Sequence, residues 1–268
     1  MALSKGLKQF WSLIGGLSAI GAVVSITLIC LHGIVAGGIA ALIVMMIVSA
    51  MIGNIQIQLV KAVAVPPKAE PCNLENYDYD RSWFETHTQA LLALGFTILT
   101  DCKLEAKHTT IGRFFYHAEH QCFAELLQCY GVQSDSSITA PIYRRTIASL
   151  LNPDWAIIDF NRANLPLDGL SYMWRNPQEI RHYRNTDSLS EMLTLHLYDR
   201  ENILKNLKTT VRFEPTWEEF QAYETQVYDR IRRTLLRRNL LIALFEATLY
   251  EFKPKTEWLG DYGKRIRA

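Results

Sequence analysis

Between Lys8 and Lys61 the chain carries no Asp, Glu, Lys or Arg, a run of roughly 50 residues. One crossing of a bilayer's hydrocarbon core takes about 20 residues. A single straight helix through the whole run would extend about 75 Å, against an apolar thickness of about 30 Å. The run must therefore reverse. The natural place is residues 32–38 (HGIVAGG), where three glycines follow the run's only histidine. Two apolar helices result, 10–30 and 39–56, forming a transmembrane hairpin over residues 1–60. A cleavable secretory signal fits poorly, because its apolar core spans about 7–15 residues and this one continues.

The flanks set orientation. Lys5 and Lys8 precede the first helix, Lys61, Lys68 and Arg81 follow the second, and the connection has neither Lys nor Arg. Positive-inside topology then places both termini in the cytoplasm of a bacterial inner or thylakoid-type membrane. Small residues four apart, Gly15 and Ala19 in the first helix and Gly33, Gly37 and Ala41 in the second, allow close backbone approach within the hairpin or between copies. No ionisable residue falls at mid-membrane depth, which argues against a proton relay.

The remainder is long enough for one soluble domain. Net charge is +1 with 21% charged residues, so no global field attracts nucleic acid. Five cysteines without a CxxC pair suit a reducing compartment. Residues 61–80, with Pro66, Pro67 and Pro71, are expected to be a semi-extended linker to a domain over 81–268. Ser82 with Glu85 forms a capping box opening a helix that Gly95 ends. Runs rich in β-branched and aromatic residues then predict strands near 96–104, 111–117, 121–130, 142–150 and 155–160. Their short connections imply an antiparallel meander. Residues 162–187 look irregular. Two more boxes, Ser188/Glu191 and Thr216/Glu219, open helices to about 207 and 252, the second stopped by Pro254. The whole is an α+β domain behind a hairpin anchor.

His117, His120 and Cys122 are the densest set of metal-ligand types, flanking a two-residue hairpin turn with Glu119, Cys102 and His108 in reach as further ligands. The spacing is not HExxH, and a polar hairpin tip is the simpler explanation. Neither a GxGxxG loop, a Walker-type loop nor an S-x-x-K element occurs, so no cofactor and no catalytic residue is assigned. Arg230, Arg233 and Arg237 share a helix face that would either lie on anionic headgroups, at about 1 kcal/mol each, or pair with nearby acids. Trp174, Arg175, Arg181 and Arg184 mark a loop able to meet a partner.

Leu94-Gly95-Phe96 ending a helix, the strand-like run 122–126, the run 146–150 and the Leu193–His196 stretch resemble an uncharacterised group of bacterial membrane-anchored proteins. That resemblance covers about half of the chain and implies no activity. The expected function is a membrane-bound interaction or regulatory module, partnered by the bilayer and by a protein or further copies of the chain. A metal or thiol enzyme at His117, His120 and Cys122, and a pore-forming effector governed by the soluble domain, are the alternatives.

Overall fold

The computed structural model describes residues 5–63, 68–105, 109–129, 141–161, 172 and 175–266. His108 and Trp174 lie outside them, so the corresponding expectations are not addressed. The chain forms two compact units. The first holds the N-terminal helices, Tyr172 and Asp229–Pro254; the second holds the residues between them and those from Lys255 onward.

The charge-free run is helical as α1 (Lys5–Val63), interrupted at Gly33, whose φ of 84° and ψ of 174° leave helical space. Only glycine adopts such a conformation without steric cost, and it falls inside the segment expected to break. The break separates two stretches long and apolar enough to cross a membrane, Trp11–Leu31 and Gly33–Gln58. They touch where Gly21 meets Val44: a Cβ on Gly21 would lie 2.6 Å from Val44 Cγ1. Nothing lies within 4 Å of a Cβ built on Gly15 or Gly33, and Ala19 and Ala41 are exposed. The side-chain surroundings of Gly37 fall outside the described residues.

The second unit is built on one sheet. In chain order its elements are β1 (Lys68–Pro71), a short 3-10 turn (Leu74–Asn76), α2 (Arg81–Ala93), β2 (Thr97–Glu105), β3 (Thr109–His117), β4 (Cys122–Cys129), β5 (Ile142–Leu151), β6 (Trp155–Phe160), β7 (Glu179–Tyr183), α3 (Leu189–Leu207), β8 (Val211–Arg212) and α4 (Trp217–Arg237). Helix α5 (Leu240–Phe252), strand β9 (Glu257–Trp258) and helix α6 (Tyr262–Arg265) complete the chain; α4 passes from the second unit into the first, to which α5 belongs. The strands run β1-β2-β3-β4-β5-β6-β7-β9, with β8 on β5.

Strands β2 to β6 form the antiparallel meander anticipated from the sequence. Its two margins differ. Lys68–Pro71, expected in a linker, pairs with β2, and Leu74 is buried in the core. Glu179–Tyr183, expected in an irregular stretch, pairs with β6, and in parallel. Helix α2 begins at Arg81 under Asp80, whose Oδ1 accepts from the Trp83 amide at 2.9 Å, so Asp80 and not Ser82 is the cap. The expected single C-terminal helix is two, because Asn239 takes extended geometry and its Oδ1 accepts from the Leu241 and Ile242 amides to start α5.

Strand alternation divides the side chains between two faces. Phe115, Ala124 and Ile147, paired in register, meet Phe84 and Leu91 of α2 and Leu189, Met192 and Leu193 of α3. Phe114 and Leu127, on the opposite face, meet Trp217 and Phe220 of α4. Each fully buried Leu or Phe contributes about 1.5–3 kcal/mol, which holds the helices to the sheet more strongly than helix propensity does.

Candidate functional site

Three buried side chains from three elements converge beneath α3. Ile147 on β5 pairs with Asp159 on β6, and Ser149 pairs with Ile157, so alternation puts Ser149 and Asp159 on the face that α3 covers. His196 lies on the buried stripe of α3 with Leu189, Met192 and Leu193. Ser149 Oγ is 2.8 Å from His196 Nε2, and His196 Nδ1 is 2.6 Å from Asp159 Oδ2. All three residues are 0% exposed.

Burial opposes the charge of Asp159, yet hydrogen bonds from His182 and His196 outweigh it and hold the carboxyl well below the usual range. Arg184 also donates to Asp159 from Nε and to Asp199 from Nη2. Burial lowers the pKa of His196 against the pull of Asp159. The ring is therefore neutral near pH 7, donating from Nδ1 to the carboxylate and accepting the Ser149 hydroxyl proton at Nε2. That is the polarity of a Ser-His-Asp nucleophile relay.

The surroundings do not complete a reaction centre. Ser149 sits inside β5, where its amide belongs to a ladder and not to a strand-to-helix elbow offering free N–H groups to an oxyanion. Arg200 Nη1 donates to Ser149 Oγ at 3.1 Å and to the Gln121 carbonyl at 3.4 Å, and it also reaches the His120 carbonyl. The guanidinium thus occupies the approach to the hydroxyl. What this arrangement does is tie the β3–β4 turn, β5, β6, β7 and α3 together through buried hydrogen bonds.

His117 and His120 do meet across the β3–β4 turn, with ring centroids 4.2 Å apart. Both nitrogens of His117 are engaged by backbone, however: Nε2 donates to the Leu94 carbonyl at 3.0 Å, and Nδ1 accepts from the His120 amide at 3.2 Å. Cys122 is buried, and burial pushes its thiol up to about 12 despite the opposing Arg200. Burial thus disfavours the thiolate that nucleophilic attack would need. Among the described residues no group of three His, Cys, Asp or Glu side chains is arranged to hold a metal ion.

Two of the arginines anticipated in a partner-binding loop, Arg184 and Arg181, make contacts within the protein. Arg184 turns inward to Asp159 and Asp199. Arg181 lies in β7, its guanidinium 4.4 Å from the Trp258 ring centroid and 5.7 Å from that of Phe160. Arg144 on β5 approaches the same Phe160 ring at 5.5 Å and pairs with Glu125 at 3.0 Å. On this face, Glu179 pairs with Arg181, and Glu224 feels Glu125, Arg144 and Arg181. Burial, then Glu125, lifts the Glu224 carboxyl to about 7.

On the α2 face a cleft of about 410 Å³ opens among Trp83, Tyr143, Arg145, Asn161, Asn185, Thr186 and Asp187. Its volume lies within the range of small-ligand pockets. Arg145 is buried at its floor, donating to the Asp187 carbonyl at 2.7 Å, the Asp187 carboxylate at 2.6 Å and His87 Nε2 at 3.2 Å. Tyr143 and Trp83, with ring centroids 4.8 Å apart, stiffen one wall. No local signal in the sequence marks this cleft, because its walls come from α2, β5, the end of β6 and the turn before α3.

The basic helix face is present as expected in register: Arg233 and Arg237 are exposed on α4, and Arg230 is partly so. Compared with protein-family models, with curated proteins and with solved structures, the chain matches none.

Proposed function

We propose that the protein is an integral membrane protein whose α+β unit is a cytosolic regulatory module that engages a protein partner or further copies of the chain. The anchor reading draws on the two apolar stretches either side of Gly33, each with only 6% of its window buried within the protein. Gly21 and Val44, which meet, lie at nearly the same distance along the chain from that break, as the arms of a hairpin would. Lysines flank only its open end, which favours cytosolic termini. Arg230, Arg233 and Arg237 then serve as contacts to anionic headgroups.

Closure of the Ser149 network carries the preference for regulation over catalysis. Ser149, His196 and Asp159, the group with the polarity of a catalytic relay, have no access, while the Arg145 cleft is open and combines a fixed guanidinium, two amides and a stiff aromatic wall. Open, rigidly backed polar side chains of this kind suit recognition. The test is photo-crosslinking in native membranes from a benzophenone amino acid replacing Asn185 at the cleft rim. A discrete adduct with one protein, or with a second copy, supports the module. A chain that yields no adduct and remains monomeric in several detergents removes it.

A further inference from the structure

We infer that α5 is a third lipid-contacting element, lying along the cytosolic boundary of the bilayer with Ile242, Phe245, Leu249 and Phe252 among the acyl chains. The inference rests on the membrane reading of the two apolar stretches and extends it to a segment 180 residues later in the chain.

Helix α5 is apolar on two opposed sides. Leu240, Ala243, Leu244 and Ala247 are buried against Ile52 and Ile55 of the second apolar stretch. At 100° per residue, Ile242, Phe245, Leu249 and Phe252 form a stripe on the far side, and each is more than half exposed. A helix in water presents a polar back; one that is apolar all round is either enclosed by protein or surrounded by lipid. The stretches beside which α5 packs, Trp11–Leu31 and Gly33–Gln58, likewise turn apolar side chains outward, among them Ile20, Val23, Leu42, Met45 and Met46. Lipid is the one occupant that suits the exposed apolar residues of all three.

Depth follows from the hydrogen bonds of two side chains. Trp11, at the start of the first apolar stretch, donates its indole N–H to Thr248 Oγ1 at 2.9 Å. Gln56, near the end of the second, donates to the carbonyls of Leu235 at 2.6 Å and Arg238 at 3.1 Å. Tryptophan indoles settle at the membrane–water interface, and both residues stand at the same open end of the paired stretches. The 13 residues of α5 extend about 20 Å, too little to cross an apolar core of about 30 Å, so the helix lies along the boundary and does not span it. Arg232, Arg233 and Arg237, exposed on the preceding helix, stand where headgroup phosphates would meet them. Glu246, the one acid in the middle of α5, is paired with Arg238 and does not enter the lipid as a lone charge.

The test uses the unmodified full-length chain in vesicles of phosphatidylethanolamine and phosphatidylglycerol, photolabelled by a diazirine carried on the acyl chain and mapped by mass spectrometry. Adducts on Ile242, Phe245, Leu249 and Phe252, at yields comparable to those on the two apolar stretches and absent from α3, are the expected result. Adducts on those stretches with none on α5 overturn the inference while leaving the anchor intact. If concentration-dependent cross-links between copies appear at Phe245 instead, a second chain and not lipid covers the stripe. Adducts nowhere on the chain overturn the membrane reading itself.

Discussion

Ser149 Oγ and His196 Nε2 lie 2.8 Å apart across 47 residues of chain, inside a region that solvent does not reach. The distance is that of a working nucleophile and its base, yet Arg200 stands over the hydroxyl and the β5 ladder occupies the neighbouring amides. Fluorophosphonate probes should leave Ser149 unmodified in the intact protein. They should also leave it unmodified in Arg200→Ala, where access improves but no oxyanion donor is created. Mass spectrometry of the probe-treated chain decides this, and an adduct on Ser149 would restore an acyl-transfer reading.

As a structural network the same group has a different signature. His196→Ala removes a buried ring and strands both the Ser149 hydroxyl and a lone pair of Asp159, costing about 3 kcal/mol. Ser149→Ala removes the hydroxyl that meets His196 Nε2 and one of the acceptors of Arg200, whose other acceptors remain, and costs about 1–2 kcal/mol. Urea denaturation of the detergent-solubilised chain, followed by tryptophan fluorescence, should rank the two in that order.

The pH dependence has two opposed parts. Burial depresses the pKa values of His87, His117 and His196. Below about 6.5 the unfolded chain binds protons that these folded rings refuse, so their contribution to stability falls as pH falls. Glu224 works the other way: with its folded pKa near 7, the fold holds a proton that the unfolded chain releases above about 4.5. Its contribution is fully present below 4.5 and is lost as pH rises through 7. Glu224→Gln should therefore stabilise the protein by on the order of 1–3 kcal/mol at pH 8 and by less at pH 5. Melting temperatures of the two proteins between those pH values check both slopes.

Gly21 and Val44 define the register of the two apolar stretches. Paired cysteines at these positions, in a Cys30→Ser background, should form an intramolecular disulfide in membranes under mild oxidation. Cysteines at Gly15 and Val44 should not, since Gly15 has no neighbour within 4 Å. Gel mobility with and without reductant distinguishes the pairs. Equal cross-linking of both would mean that the register slides.

Much of the secondary structure is a property of neighbours along the chain, and there the sequence sufficed. A run without charges, broken by a glycine at position 33, needs only solvation and sterics to become two apolar helices. Ser188 opens α3 as expected, and the meander strands fall within a few residues of their anticipated bounds, because hydroxyl caps and alternating β-branched runs act over three to eight residues. Tertiary structure decided everything that depends on distant partners. Lys68–Pro71 became a strand because β2 offered an open edge, and Glu179–Tyr183 joined β6 in parallel although nothing local announces it. Ser149, Asp159 and His196 share no motif and met only because β5, β6 and α3 bury a common face. The two apolar sides of α5 likewise became distinguishable only when Ile52 and Ile55 covered one of them, since composition records how much a helix must hide but not against what.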